Sequence, residues 1–97
     1  MADEMKVVAG DARFLQQQLM MAMSGDAEAL YELGVAYSVG RAGVDVDLIA
    51  AHKWFNLAAL KGDERAKEDR SEISAEMSPA EIAEAQRDAR AFLKLAA

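Results

Sequence analysis

Apolar side chains recur along this chain at the spacing of helices rather than strands. In "DARFLQQQLMMAMSG", from about Asp11, Phe14, Leu15, Leu19 and Ala22 fall close to an i, i+4 stripe, with Met20, Met21 and Met23 beside it. Gly25 is a natural stop. Asp26 offers a cap for a second helix, "DAEALYELGVAYSVG", in which Ala29, Leu30, Leu33 and Tyr37 share a face. Gly34 lies inside that helix, where glycine costs about 1 kcal/mol against alanine, so another helix is expected to cross closely there. Gly40 ends it.

A short connection, "RAGVDVD", follows. Gly43 gives it backbone freedom, Val44 is a lone apolar residue aimed at the core, and Asp47 is placed to cap a third helix, "LIAAHKWFNLAALKG". Ala51, Trp54, Phe55 and Ala58 form its buried stripe, with Trp54 and Phe55 as a core pair. Ala51, Ala58 and Ala59 are small enough for close helix approach, and Gly62 stops the helix. The fourth segment, "DERAKEDRSEISAEM", is highly charged, with a thin stripe of Ala66, Ile73 and Met77 and Arg70 in the gap. The last helix opens at Ser78 with Pro79 in first position and Glu81 closing a capping box. Its face is Ile82, Ala85, Ala89, Phe92, Leu93 and Ala96, and Glu81, Glu84 and Asp88 with Arg87 and Arg90 make a solvated, salt-bridged side. Residues 1–10 read as a flexible lead-in and 11–97 as one domain.

Composition supports an all-α fold: the chain has 97 residues, 53% hydrophobic, with one proline and no cysteine. A chain this short makes a thin core, so self-association or a partner has room to contribute. The net charge of −6 opposes binding to nucleic acid or to an anionic membrane. No apolar run approaches the roughly 20 residues of a spanning helix. "MADEMKVVAGDARF" carries no basic segment followed by an apolar one, so no secretory signal is expected and a cytoplasmic location is.

"SGDAEA" at 24–29 returns as "KGDERA" at 61–66, 37 residues on, with Gly25 over Gly62, Asp26 over Asp63 and Ala29 over Ala66. A period of this size with two helices per unit signals a helical solenoid. From Ala29 to Gly62 the sequence resembles the Sel-one-like repeat (SLR), a relative of the tetratricopeptide repeat. Ala29, Leu33, Gly34, Tyr37 and Gly40 match the first half of its pattern. Gly43, Val44, Asp47, Ala51, Trp54, Ala58, Ala59 and Gly62 match the second. The one departure is an extra residue in the turn, "GRAG". "MSPAEIAEAQRDARAF" also resembles the closing helix of many bacterial members. The resemblance implies an α/α superhelical solenoid, here of about five helices with one full repeat and diverged flanks. It also implies a non-catalytic adaptor or scaffold that holds another protein.

On that reading the partner meets Glu28, Tyr31, Glu32 and Val35 on a concave face, and the acidic charge suits a basic or amphipathic segment. Met20 and Met21 are further candidates, because three methionines within four residues exceed what one buried face takes. An alternative is a structural homodimer paired through the methionine-rich helix. A third is a small metal-dependent enzyme using His52 with Asp45 and Asp47. Against it, His52 has no second histidine or any cysteine to share a metal, and Asp47 suits a helix cap, so no catalytic, cofactor or metal residue is assigned.

Overall fold

A computed structural model describes residues 2–96, with side chains from residue 12 onward. Among the described residues the chain is all-helical: α1 (Ala2–Met23), α2 (Ala27–Val39), α3 (Leu48–Leu60), α4 (Glu64–Ser74) and α5 (Pro79–Ala96). The first helix begins at Ala2, not near Asp11, so helical backbone runs through most of the segment read as a lead-in. Apart from Gly10 nothing in residues 2–10 opposes a helix, and a single glycine is tolerated.

The recurrence at 24–29 and 61–66 has a local cause. At the end of α1, Gly25 takes φ +89°, Gly25 N–H donates to Ala22 O at 3.0 Å and Asp26 N–H to Met21 O at 3.1 Å. At the end of α3, Gly62 takes φ +95°, and Gly62 and Asp63 N–H donate to Ala59 O at 2.9 Å and Ala58 O at 3.2 Å. Both are glycine-terminated Schellman closures, which satisfy the last carbonyls of a helix. The aspartate after each glycine then caps the next helix: Asp26 accepts from Ala29 N–H, and Asp63 from Arg65 and Ala66 N–H. Stop and start are therefore one dipeptide, and it carries Ala29 and Ala66 into full burial at 1% and 0% exposure.

The α2–α3 connection is built differently. Gly40 (φ 75°), Ala42 (φ 60°) and Gly43 (φ 80°) are all left-handed. Tyr37 O accepts from Asp47 N–H at 2.9 Å, which closes the loop, and Asp47 caps α3 through Ala50 N–H at 3.1 Å. The extra residue of "GRAG" thus puts a non-glycine residue into a conformation that glycine favours. Val44 does not plug the core; it is half-buried and outside the core cluster.

The capping box before α5 is formed from both sides: Ser78 N–H donates to Glu81 Oε1 at 2.8 Å and Glu81 N–H to Ser78 Oγ at 3.1 Å. α3 is central. It packs on α2, α4 and α5, whereas the main neighbour of α1 is α2. Ala51, Trp54, Phe55, Leu57, Ala58 and Ala59 of α3 are all buried. Large side chains buried this fully contribute about 1.5–3 kcal/mol each. Trp54 and Phe55 are both core residues but do not pair with each other. Trp54 meets Phe92 edge-on at 5.0 Å and Phe55 meets Tyr31 at 5.6 Å, because adjacent positions on a helix point to different neighbours.

Gly34 marks the close crossing of α2 and α3. A β-carbon there would overlap the Phe55 ring, coming within 2.9 Å of its Cγ and closer to two other ring carbons. Elsewhere the stripes narrow. Phe14 (39% exposed), Met20, Met21, Met23 and Leu93 face outward, leaving Ala22 as the one fully buried side chain of α1 among the described residues. In α2, Tyr37 is half-buried and Ala36 joins the buried face. On α5, Arg87 and Arg90 are exposed without an ion-pair partner among the described residues, so that face is solvated but not bridged.

Candidate interaction groove

The residues singled out above as partner-facing divide into three groups. Glu28 and Tyr31 are drawn into a network with α4. Arg65 donates through Nη2 to Glu28 Oε2 and Asp63 Oδ2, both at 2.7 Å, and its guanidinium lies 4.0 Å from the centroid of the Tyr31 ring. Tyr31 donates its hydroxyl to Asp69 Oδ2 at 2.8 Å. That bond, aided by burial and the charge of Asp69, pushes the phenol up to about 12, so Tyr31 stays a donor at any physiological pH. Hydrogen bonding to Arg65 holds the Asp63 carboxyl below its ordinary value.

Val35 belongs to the second group. With Tyr31 it lines a groove of about 290 Å³ between α2 and α4. Val35, Val39, Phe55 and Ile73 give the groove its apolar surface, and Ser38, Asp69 and Glu72 with Tyr31 give it polar groups. Phe55 and Ile73 are buried at 1% and 9% exposure, so the base is part of the hydrophobic core. Glu32, Met20 and Met21 form the third group. Glu32 is half-buried on α2 outside the groove lining. Met20 and Met21 are 70% and 40% exposed on α1, also away from the groove.

Arg65, Asp69, Glu72 and Ile73 were not singled out as partner-facing from the sequence, although Ile73 was placed in the apolar stripe of α4, and three of them can be found by extending the 37-residue register. Shifted by 37 positions, Glu28, Glu32 and Val35 of α2 fall on Arg65, Asp69 and Glu72 of α4. A second cleft, of about 460 Å³, lies where the C-terminal ends of α1, α3 and α5 converge, and Met23, Leu60 and Leu93 line it. Among the described residues its only charged side chain is Lys61, which suits three helix C-termini.

His52 is a structural residue of the α3–α4 contact. It is 3% exposed, and its Nε2 is 3.0 Å from Ser74 Oγ. The Ser74 hydroxyl donates to Arg70 O at 2.7 Å, so the ring must donate to Ser74 and carries its proton on Nε2. Nδ1 is then a buried acceptor without a partner among the described residues. Burial first, then the charge of Arg70, holds the imidazole below its usual pKa and neutral. Asn56, one turn along α3, accepts from Arg70 Nη1 at 2.6 Å and extends the same seam. Asp45 is exposed and Asp47 is occupied as a cap. Among the described residues no three His, Cys, Asp or Glu side chains converge on a point, and no helix is long and apolar enough to cross a membrane. No family model, curated protein or solved structure matches the chain.

Proposed function

We propose that this chain is a non-catalytic adaptor or scaffold of the Sel-one-like repeat kind, a right-handed α/α solenoid that holds a protein partner along α2 and α4. Two equivalent Gly–Asp turns, each delivering a buried alanine, support the repeat reading. The observation that carries the function is the groove between α2 and α4, where exposed carboxylate chemistry borders an apolar base. Such a surface fits a segment that is apolar on one side and basic on the other.

Affinity capture with the wild-type chain, with Val35→Arg in the groove and with Val46→Arg on an exposed loop position tests the reading. A stoichiometric protein retained by wild type and Val46→Arg but lost with Val35→Arg is expected, with helicity unchanged in all three. A stable, monodisperse monomer that recovers no stoichiometric partner would sink it. The outward side of α1, with Phe14, Met20 and Met21, favours the homodimer as a second reading. Sedimentation over a range of concentrations, with Met20→Asp and Met21→Asp as disrupting variants, decides that one.

A further inference from the structure

The groove between α2 and α4 has an unmet electrostatic demand in one place. Asp69 and Glu72 stand one turn apart on the same face of α4, where like charges repel. Asp69 spends Oδ2 on the Tyr31 hydroxyl, and its Oδ1 has no partner among the described residues. The Glu72 side chain is exposed and has none among the described residues either. The cations of α4 are all engaged elsewhere: Arg65 with Glu28 and Asp63, Lys67 with Glu64, and Arg70 with Asn56. Beside the two carboxylates lies the accessible apolar rim of Val35 and Val39, above a buried base of Phe55 and Ile73, suited to a hydrocarbon stem.

The molecule also shows what this rim accepts. One turn before Asp69, Arg65 already lies over the Tyr31 ring and bonds to Glu28, so a guanidinium occupies the adjacent station. We infer that the groove is specific for an arginine side chain on an amphipathic partner helix, with its stem over Val35 and Val39 and its guanidinium between Asp69 and Glu72. Arginine is favoured over lysine because its planar fork can serve two carboxylates at once. The inference rests on the interaction-module reading and adds the identity of the side chain recognised.

The probes are two 18-residue amphipathic helical peptides with a leucine face and a single central residue, arginine in one and its neutral isostere citrulline in the other. Binding is measured near physiological salt against the full chain and against Glu72→Gln, Asp69→Asn and Glu84→Gln; the last removes the same charge from an exposed site on α5. The arginine peptide should bind the wild-type chain about three- to tenfold more tightly than the citrulline peptide. That preference should fall to within about twofold in Glu72→Gln and Asp69→Asn and persist in Glu84→Gln. A preference that survives both groove substitutions, or that falls equally in Glu84→Gln, overturns the inference while leaving a groove that still binds the citrulline peptide. If neither peptide binds any form, the inference is overturned, and the fate of the interaction-module reading rests on the Val35→Arg capture result.

Discussion

Replacing Gly34 by alanine sets two effects of known sign against each other. In an ordinary helix interior the change stabilises by about 1 kcal/mol, since glycine loses more backbone freedom and alanine is the better helix former. Here the new β-carbon would collide with the Phe55 ring. That ring is 1% exposed and already packs against Tyr31 at 5.6 Å, so giving way means shifting a buried core side chain. Overpacking of a core typically costs about 1–3 kcal/mol, and a collision involving three ring atoms belongs at the upper end. Gly34→Ala should therefore destabilise by about 1–2 kcal/mol net. For a domain of this size each kcal/mol lowers Tm by about 4–8 °C. Trp54, the single tryptophan and 5% exposed against Phe92, reports unfolding in urea through its fluorescence. Phe55→Leu alone should cost about 1–2 kcal/mol by leaving space. In the Gly34→Ala background it should cost less or stabilise, a coupling of at least about 0.5 kcal/mol. A Gly34→Ala chain more stable than wild type by about 1 kcal/mol would refute the close crossing, because propensity alone would then account for it.

Two further outcomes follow from local features. Ala42 at φ 60° carries about 1–2 kcal/mol of left-handed strain that glycine does not, less about 0.5–1 kcal/mol for the looser unfolded chain, so Ala42→Gly should stabilise by up to about 1 kcal/mol in the same urea assay; a clear loss would show the strain is absent. His52 is held below its usual pKa, so on acidification the unfolded chain takes up this proton first and stability should fall as pH drops below about 6.5, no more steeply than about 1.4 kcal/mol per pH unit; the drop should be lost in His52→Gln, and an unchanged slope between pH 7 and 5 in that variant would contradict the assignment.

Where an element is closed by its own hydrogen bonds, the sequence was readable. Gly25–Asp26, Gly40, Asp47 and the Ser78–Glu81 box each act within about five residues, and each boundary lies at the residue its chemistry indicates. The tertiary partners were less readable. Nothing local tells Trp54 to seek Phe92 while its neighbour Phe55 seeks Tyr31 and Gly34. Phe14 and Leu93 carry the right period for burial, but no helix among the described residues covers them. The groove was half legible. Its α2 side matches the concave face expected from the sequence, whereas α4 shows there only a thin apolar stripe amid charge. Only burial of Phe55 and Ile73 beneath Asp69 and Glu72 shows that its acids border an apolar base.

The paired Gly–Asp turns bear on how such a chain can grow. Copying residues 26–62 in tandem would join Gly62 to a second Asp26, reproducing the dipeptide already present at both natural junctions. Each join would keep its left-handed glycine, its carbonyl closure and its capping carboxylate, so lengthening demands no new loop chemistry. The turn is thus a seam at which a gene can be cut and duplicated in register, and the face carrying Glu28, Glu32 and Val35 is multiplied with it.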